Sequence, residues 1–434
     1  MIPNDHSQRV ELNDELHARP PETLNAPLRL TYLALLSDWN SREDELAHIS
    51  DLAQRFDAPL PAPGASHYSQ SLGVFRLKWE RHAEFSRYKF IVSGDEENPF
   101  LPPAVSAAPG DWVATLKGEV MVATHVAILS ATVSGLDHEA IGARWFGGNT
   151  LVGSTLASGA GIALTDFRIH CDGFGRLLVI NHGMTPRQTG RMVQRLVEID
   201  TYRMMALLAF PIARKLAPEL SRSELELARI SGAMATAGEH EEPILLDKLT
   251  RLAAEIDSSE SKNYFRFRAA AAYYELVQRR IAELREERIA GLQTFQEFTE
   301  RRLAPAMNTC RAVAERLGSL SARVARTTQL LSTRVDVTRE RQNQAILASM
   351  NRRARLQLRL QETVEGLSLV AVTYYVAGLV GYIANAAKAS GAAINPSLFV
   401  ALSIPVTVVL VALAVRRIRK TVTRRTIDPK SDDD

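Results

Sequence analysis

Two uncharged stretches near the C-terminal end restrict the folds open to this chain more than anything else in its 434 residues. The first, Gly366 to Ala387, has no charged side chain, and at ~1.5 Å per helical residue it covers the ~30 Å hydrocarbon core of a bilayer. The second, Pro396 to Val415, is about as long. Only KASGAAIN separates them, so the pair predicts two antiparallel helical spans, the form in which a lipid-embedded backbone satisfies its own polar groups. Arg352, Arg353, Arg355 and Arg359 precede the pair, and Arg416, Arg417, Arg419, Lys420, Arg424 and Arg425 follow it. The connector carries Lys388 alone, so the basic bias predicts both ends on the cytoplasmic side and the connector outside. A lipid bilayer is the first expected partner.

The spans differ in character. The second is almost wholly aliphatic, whereas the first contains Ser368, Thr373, Tyr374, Tyr375, Gly378, Gly381, Tyr382 and Asn385. Small and polar residues collect where helices approach closely or meet water, which predicts that the first span is the interior one. Thr373, Tyr374, Gly378, Gly381, Tyr382 and Asn385 are therefore the candidates for lining a pore or for contact between helices. Simple anchoring with a glycine-mediated contact explains the glycines equally well.

Upstream, the chain changes character near residue 210. LRLTYLALL (Leu28 to Leu36) reads as a buried strand, followed by a helix over SREDELAHISDLAQRF. In SLGVFRLKWERHAEFSRYKFIV, Phe75, Leu77 and Trp79 alternate with Arg76, Lys78 and Glu80, which predicts two strands with one core face and one polar face. A further strand is expected near Val120 to Ala131, a hairpin around CDGFG, and a helix starting at Thr185-Pro186. After Pro211 the composition is helical to Glu365, and an apolar or small seam runs from Leu317 to Leu360. That seam predicts a long helix packed against copies of itself or against a sibling helix. The expected fold is an α+β cytoplasmic domain (1–210), a long helical stalk (211–365), a transmembrane hairpin (366–387 and 396–415), and a basic then acidic tail (416–434).

Net charge is only +3, which gives no support for a nucleic-acid surface. Cys171 and Cys310 lie far apart and form neither a zinc motif nor a disulfide framework, so reduced thiols are expected. The first thirty residues carry charges throughout and lack an apolar h-region, which argues against a cleaved signal peptide.

The strings ELNDELHARP, LGVFRLKWERHAEFSRY, QRLVEIDTYRMMALLAF, RQNQAILASMNRR and LQLRLQETVEGLSLVAVTYY resemble a family of uncharacterised bacterial proteins described as predicted membrane-anchored. The resemblance implies the bacterial inner membrane and carries no activity. The layout also resembles CorA-type magnesium transporters, pentamers with a cytoplasmic α/β domain, a helical stalk and a C-terminal two-helix hairpin. Here YYVAGLVGYI places Ala377, Gly378 and Gly381 at positions matching the end of that family's first span, while Tyr382 and Ile383 stand in place of its Met-Asn pair. This likeness implies self-association and a divalent cation as partner, and the altered filter removes the basis for magnesium selectivity.

Elsewhere, Glu15, His17 and Arg19 of ELHARP alternate on what reads as an extended arm, where they can bind an anion, do acid–base work or tie the arm down by ion pairs. GGNTLVGSTLASGAGIAL lacks the lysine of a phosphate loop and the third glycine of a dinucleotide fingerprint, so turns between strands explain it. Asp166, His170, Cys171 and Asp172 are metal-ligand types, but HCDG is also good hairpin chemistry. No nucleophile motif accompanies these groups, so no enzyme or cofactor is expected, and an enzyme using Glu15, His17 and Arg19 stands as the third reading. The leading expectation is a homo-oligomeric membrane protein of CorA-like layout that passes or senses cations. The alternative is a non-conducting anchor that displays its cytoplasmic domain as a sensor or scaffold.

Overall fold

The computed structural model describes residues 5–17, 20–37, 41–94, 97–131, 137–391 and 395–426. Arg19, part of the connector (392–394) and the acidic end of the tail (427–434) lie outside the described residues. The chain divides into two compact units, Met1–Leu331 and Ser332–Asp434.

The first unit is built on a sheet whose strands are β1 (Leu28–Leu36), β2 (His67–Leu72), β3 (Phe75–Arg81), β4 (Phe85–Ser93), β5 (Glu119–Ser130), β6 (Val152–Leu156), β7 (Gly161–Thr165), β8 (Gly175–Asn181) and β9 (Glu287–Arg288). Their order is β2-β3-β4-β1-β5-β8-β7-β6-β9, antiparallel throughout except for the parallel pair β5 and β8. The two-residue β9 is the informative strand, because it comes from far beyond residue 210 and closes the β6 edge. The compact unit that holds the sheet accordingly extends beyond residue 210, to Leu331.

The short helix α1 (Arg9–His17) precedes the sheet. α2 (Arg42–Arg55) and α3 (Gly110–Ala114) cover one sheet face with Ile49, Leu52 and Trp112, against Leu33, Leu77, Trp79, Tyr88 and Phe90. α4 (His138–Trp145) continues that layer, with Trp145 packed over Ala127, Leu178 and Ile180. The opposite face is covered by α5 (Pro186–Leu207). Its start follows from Thr185 and Gln188, which form a reciprocal capping box ahead of Pro186 at the first turn.

α6 (Ala209–Thr236), α7 (Glu242–Leu284) and α8 (Phe295–Arg302) complete the helical part of this unit, together with the first third of α9 (Ala304–Ala389). Of the two covers expected for the seam, copies of the chain or a sibling helix, the sibling helices α6 and α7 supply the one seen along this stretch. Leu317, Leu320, Val324 and Leu331 are buried, Leu317 shares a groove with Leu220 of α6 and Ile256 of α7, and Arg316 pairs with Glu224 at 2.8 Å. Sequence periodicity shows that a stripe is covered, not by whom; here the cover belongs to the same chain.

The second unit holds the rest of α9 and α10 (Pro396–Thr426). In it, Leu356 and Leu360 of the seam are exposed. Both helices contain stretches long and apolar enough to cross a membrane. They meet at Gly381, where an added Cβ would lie 3.3 Å from Val400 Cγ2.

Candidate functional site

The membrane candidates separate into two faces of α9. Gly381 faces α10, and Thr373 and Ala377, half-buried, and Ala384, buried, recur with it at helical spacing. Tyr374, Gly378, Tyr382 and Asn385 form a second stripe that this hairpin leaves uncovered: Tyr374 and Tyr382 are exposed, and nothing lies within 4 Å of a Cβ built on Gly378.

Four Ser and Thr hydroxyls on these helices close on their own backbone. Thr373 donates to the Leu369 carbonyl at 2.7 Å, and Ser368 to Val364 at 2.9 Å. On α10, Ser403 donates to Val400 at 2.8 Å and Thr407 to Ser403 at 2.8 Å. Such back-bonding satisfies the donor without any neighbour. Serine and threonine content therefore does not by itself set one span inside the other.

The sheet domain contains a second site that composition concealed. Arg76, Lys78 and Glu80 of β3, with Arg87 and Lys89 of β4, point away from the apolar core as expected, yet α5 and the segment after Pro20 bury most of them. Glu80 sits opposite Arg87 across the strand pair and accepts from its Nε at 2.5 Å. Arg87 also donates to Glu198 of α5 at 3.1 Å, and Glu198 in turn accepts from Arg280 of α7 at 2.5 Å. Burial raises the Glu80 carboxyl, but Arg87, Lys89 and Lys78 together outweigh it and hold the group down at about 2.

Lys89 stands directly across from Lys78, a like-charged pairing that costs energy. Lys78 is compensated by the Pro20 carbonyl at 2.6 Å and by Glu80 at 3.3 Å. The carboxylate nearest Lys89 is Glu80, 3.8 Å away. Burial first, and then repulsion by Arg87, lower the Lys89 ammonium to about 7 against the pull of Glu80.

The ELHARP segment approaches this cluster by a different route from the one expected. Glu15 and His17 lie on helix α1 instead of an extended arm. What reaches the sheet is the segment just beyond. Glu22 accepts from Arg76 at 2.5 Å and from Ser69 at 3.2 Å. Gly190 of α5 makes the approach feasible, since a Cβ there would lie 1.6 Å from the Glu22 carbonyl oxygen. The other half of the WERHAEF string ties the β3–β4 turn to α7, through Glu84 with Arg266 and with the Tyr273 hydroxyl at 2.9 Å. Glu198 gave one signal that reasoning from sequence passed over, an acid within the apolar run Leu196 to Ile199.

The metal-ligand types near residue 170 serve the β7–β8 connection. Asp166 accepts from Asn149 at 2.8 Å and from the Arg168 amide at 3.2 Å, and pairs with His170 at 3.0 Å. Asp172 caps the bend by accepting from the Phe174 amide at 2.9 Å, with Gly173 at φ +83°. Among the described residues no three His, Cys, Asp or Glu side chains gather as a metal site. Behind this loop, the buried His125 is held neutral: burial outweighs the attraction of Asp172 and lowers its imidazole to about 4. Cys171 is exposed, Cys310 is buried, and both are free thiols.

An α/β sheet domain, long helices and two apolar C-terminal helices define the class: a sheet protein with a candidate membrane hairpin at its C-terminal end. The chain belongs to the DUF3422 family, proteins of unknown function, whose family model matches residues 4–422. No curated protein and no solved structure matches the chain.

Proposed function

We propose that this protein is a non-conducting anchor of the bacterial inner membrane, which holds its sheet domain at the cytoplasmic face as a sensor or scaffold. The supporting observation is the self-sufficiency of the hairpin. Its helices pack at Gly381 and Val400, and the Thr and Ser hydroxyls named above are satisfied within their own helices. Such a hairpin enters hydrocarbon without needing a second chain or a water path. Asn385 lies at the connector end, where its amide meets headgroups. The test is topology labelling in a Cys171→Ser background. A membrane-impermeant maleimide applied from outside should modify a cysteine placed at Lys388 and spare one placed at Arg417. Equal labelling of both removes the anchor.

The second reading is the CorA-like one, a homo-oligomer that passes divalent cations between copies of the first span. The uncovered stripe Tyr374, Gly378, Tyr382 and Asn385 favours it, because several such stripes around an axis present hydroxyl and amide groups to ions. Divalent cation flux into liposomes, together with a detergent-corrected mass above that of one chain, is its test. A monomer without flux eliminates it.

A further inference from the structure

A cavity of about 360 Å³ opens in the sheet domain between the α5-facing side of β5 and β8, the C-terminal half of α5, and the loop that follows β7. Its volume falls in the range of small-molecule sites, ~300–1,000 Å³. Its floor is apolar, formed by Val122, Leu177, Leu196 and Phe295, and Met121 and Met204 add side chains that adapt to a ligand's shape.

The polar lining includes Thr124, Arg168, Asp200 and Arg203. Asp200 accepts from Thr124 at 2.9 Å and from Arg203 Nε at 2.7 Å, which fixes the Arg203 guanidinium 4.7 Å above the Phe167 ring. Phe167 is held in the left-handed backbone region at φ +52°, a conformation that costs a non-glycine residue ~1–3 kcal/mol unless its surroundings impose it. They do so here: its amide donates to Thr165 Oγ1 at 3.2 Å, and its ring stacks on Phe298 at 4.4 Å. The same loop projects Arg168 to the mouth, exposed and paired with no carboxylate among the described residues. Arg203 is offset by Asp200, so the charge left over at the mouth is positive. Neither membrane reading makes any use of this cavity.

We infer that the cavity binds a small amphipathic carboxylate, its chain against Leu196, Met204 and Phe295 and its head at Arg168. The complementarity is of charge and of polarity: an unpaired guanidinium at the rim over an apolar floor matches an anionic head on an apolar body. This inference supplies a ligand for the sensor reading but does not depend on the hairpin crossing a membrane, because the cavity is enclosed by the sheet domain alone.

The experiment is calorimetric titration of the full-length chain, in the presence of phosphatidylcholine nanodiscs, with octanoate, octanol and acetate, using nanodiscs alone as the blank. Octanoate should bind saturably, octanol at least tenfold more weakly, and acetate not at all. Arg168→Glu, at an exposed position, should weaken octanoate at least tenfold and leave octanol unchanged. Met204→Trp, which fills the cavity, should abolish both. Absence of saturable octanoate heat above the blank overturns the proposal, as does octanoate binding that Arg168→Glu leaves intact. Those results would leave the topology labelling untouched, so the two ideas fail separately.

Discussion

Lys89 is the residue whose environment is least favourable to its own chemistry. A buried ammonium beside Arg87 and opposite Lys78 is tolerated because Glu80 and Glu198 lie within the same cluster. Its folded value of about 7 lies below the ordinary lysine value near 10.4, so between those limits the unfolded chain holds a proton that the folded chain lacks. The contribution of Lys89 to stability therefore rises with pH across that window, by up to about 1.4 kcal/mol per pH unit, and its full cost is felt below pH 7. Lys89→Met should abolish this dependence. In urea unfolding followed by the fluorescence of the buried Trp79 and Trp112, the stability gap between wild type and Lys89→Met should change in favour of wild type from pH 7 to pH 10. Parallel profiles would mean that Lys89 is charged in the folded state throughout. Glu80 behaves oppositely to an isolated buried acid: its carboxyl is held at about 2, so its stabilising share is present above pH 4.5 and lost as pH falls toward 2.

At the level of elements, the two glycines of YYVAGLVGYI have different work. Gly381→Leu places a side chain against Val400 and should separate α9 from α10, seen as a gain in protease sensitivity of the reconstituted hairpin. Gly378→Leu meets nothing within its own chain, so it should leave that sensitivity unchanged; if copies associate through this stripe, it should lower the mass measured by light scattering in detergent. An unchanged mass with Gly378→Leu would set the stripe against lipid. Much of this level was legible in advance. β3 and β4 follow from alternation, β1 and β5 from short apolar runs, and α5 from the Thr185-Pro186 start, because each carries its own local signal. β2 (HYSQSL) was missed since only Tyr68 and Leu72 of its six residues face the core, and β9 is too short to have a period. The charged face of β3 and β4 was read as polar, which is correct; that it is buried depends on Glu198 and Arg280, supplied by helices more than a hundred residues away. Alternation distinguishes two faces of a strand without saying what covers either. The cavity end of the site was illegible for a related reason: DFRIHCDG shows a turn, and only the fold brings α5 against it.

For the whole molecule, the decisive boundary is the one between Leu331 and Ser332. A fragment of residues 1–210 lacks β9, leaves Glu198 without Arg280 and leaves Glu84 without Arg266 and Tyr273. These pairs are part-buried and Glu198 keeps Arg87, so each loss costs less than the about 3–5 kcal/mol of a fully buried pair, yet together they weigh against the ~5–15 kcal/mol by which domains are stable. That fragment should aggregate or show no near-ultraviolet dichroism, whereas residues 1–331 should unfold cooperatively. A cooperative transition in the shorter fragment would restore the boundary at 210.

The position of β9 also orders events in the making of the protein. Among the described residues, every strand and the helices laid over them are translated before Gly366 is reached, so the sheet is out of the ribosome when the apolar runs begin to emerge. Domains fold as units, the N-terminal ones first. The sheet unit can therefore reach its finished form before either apolar run is complete.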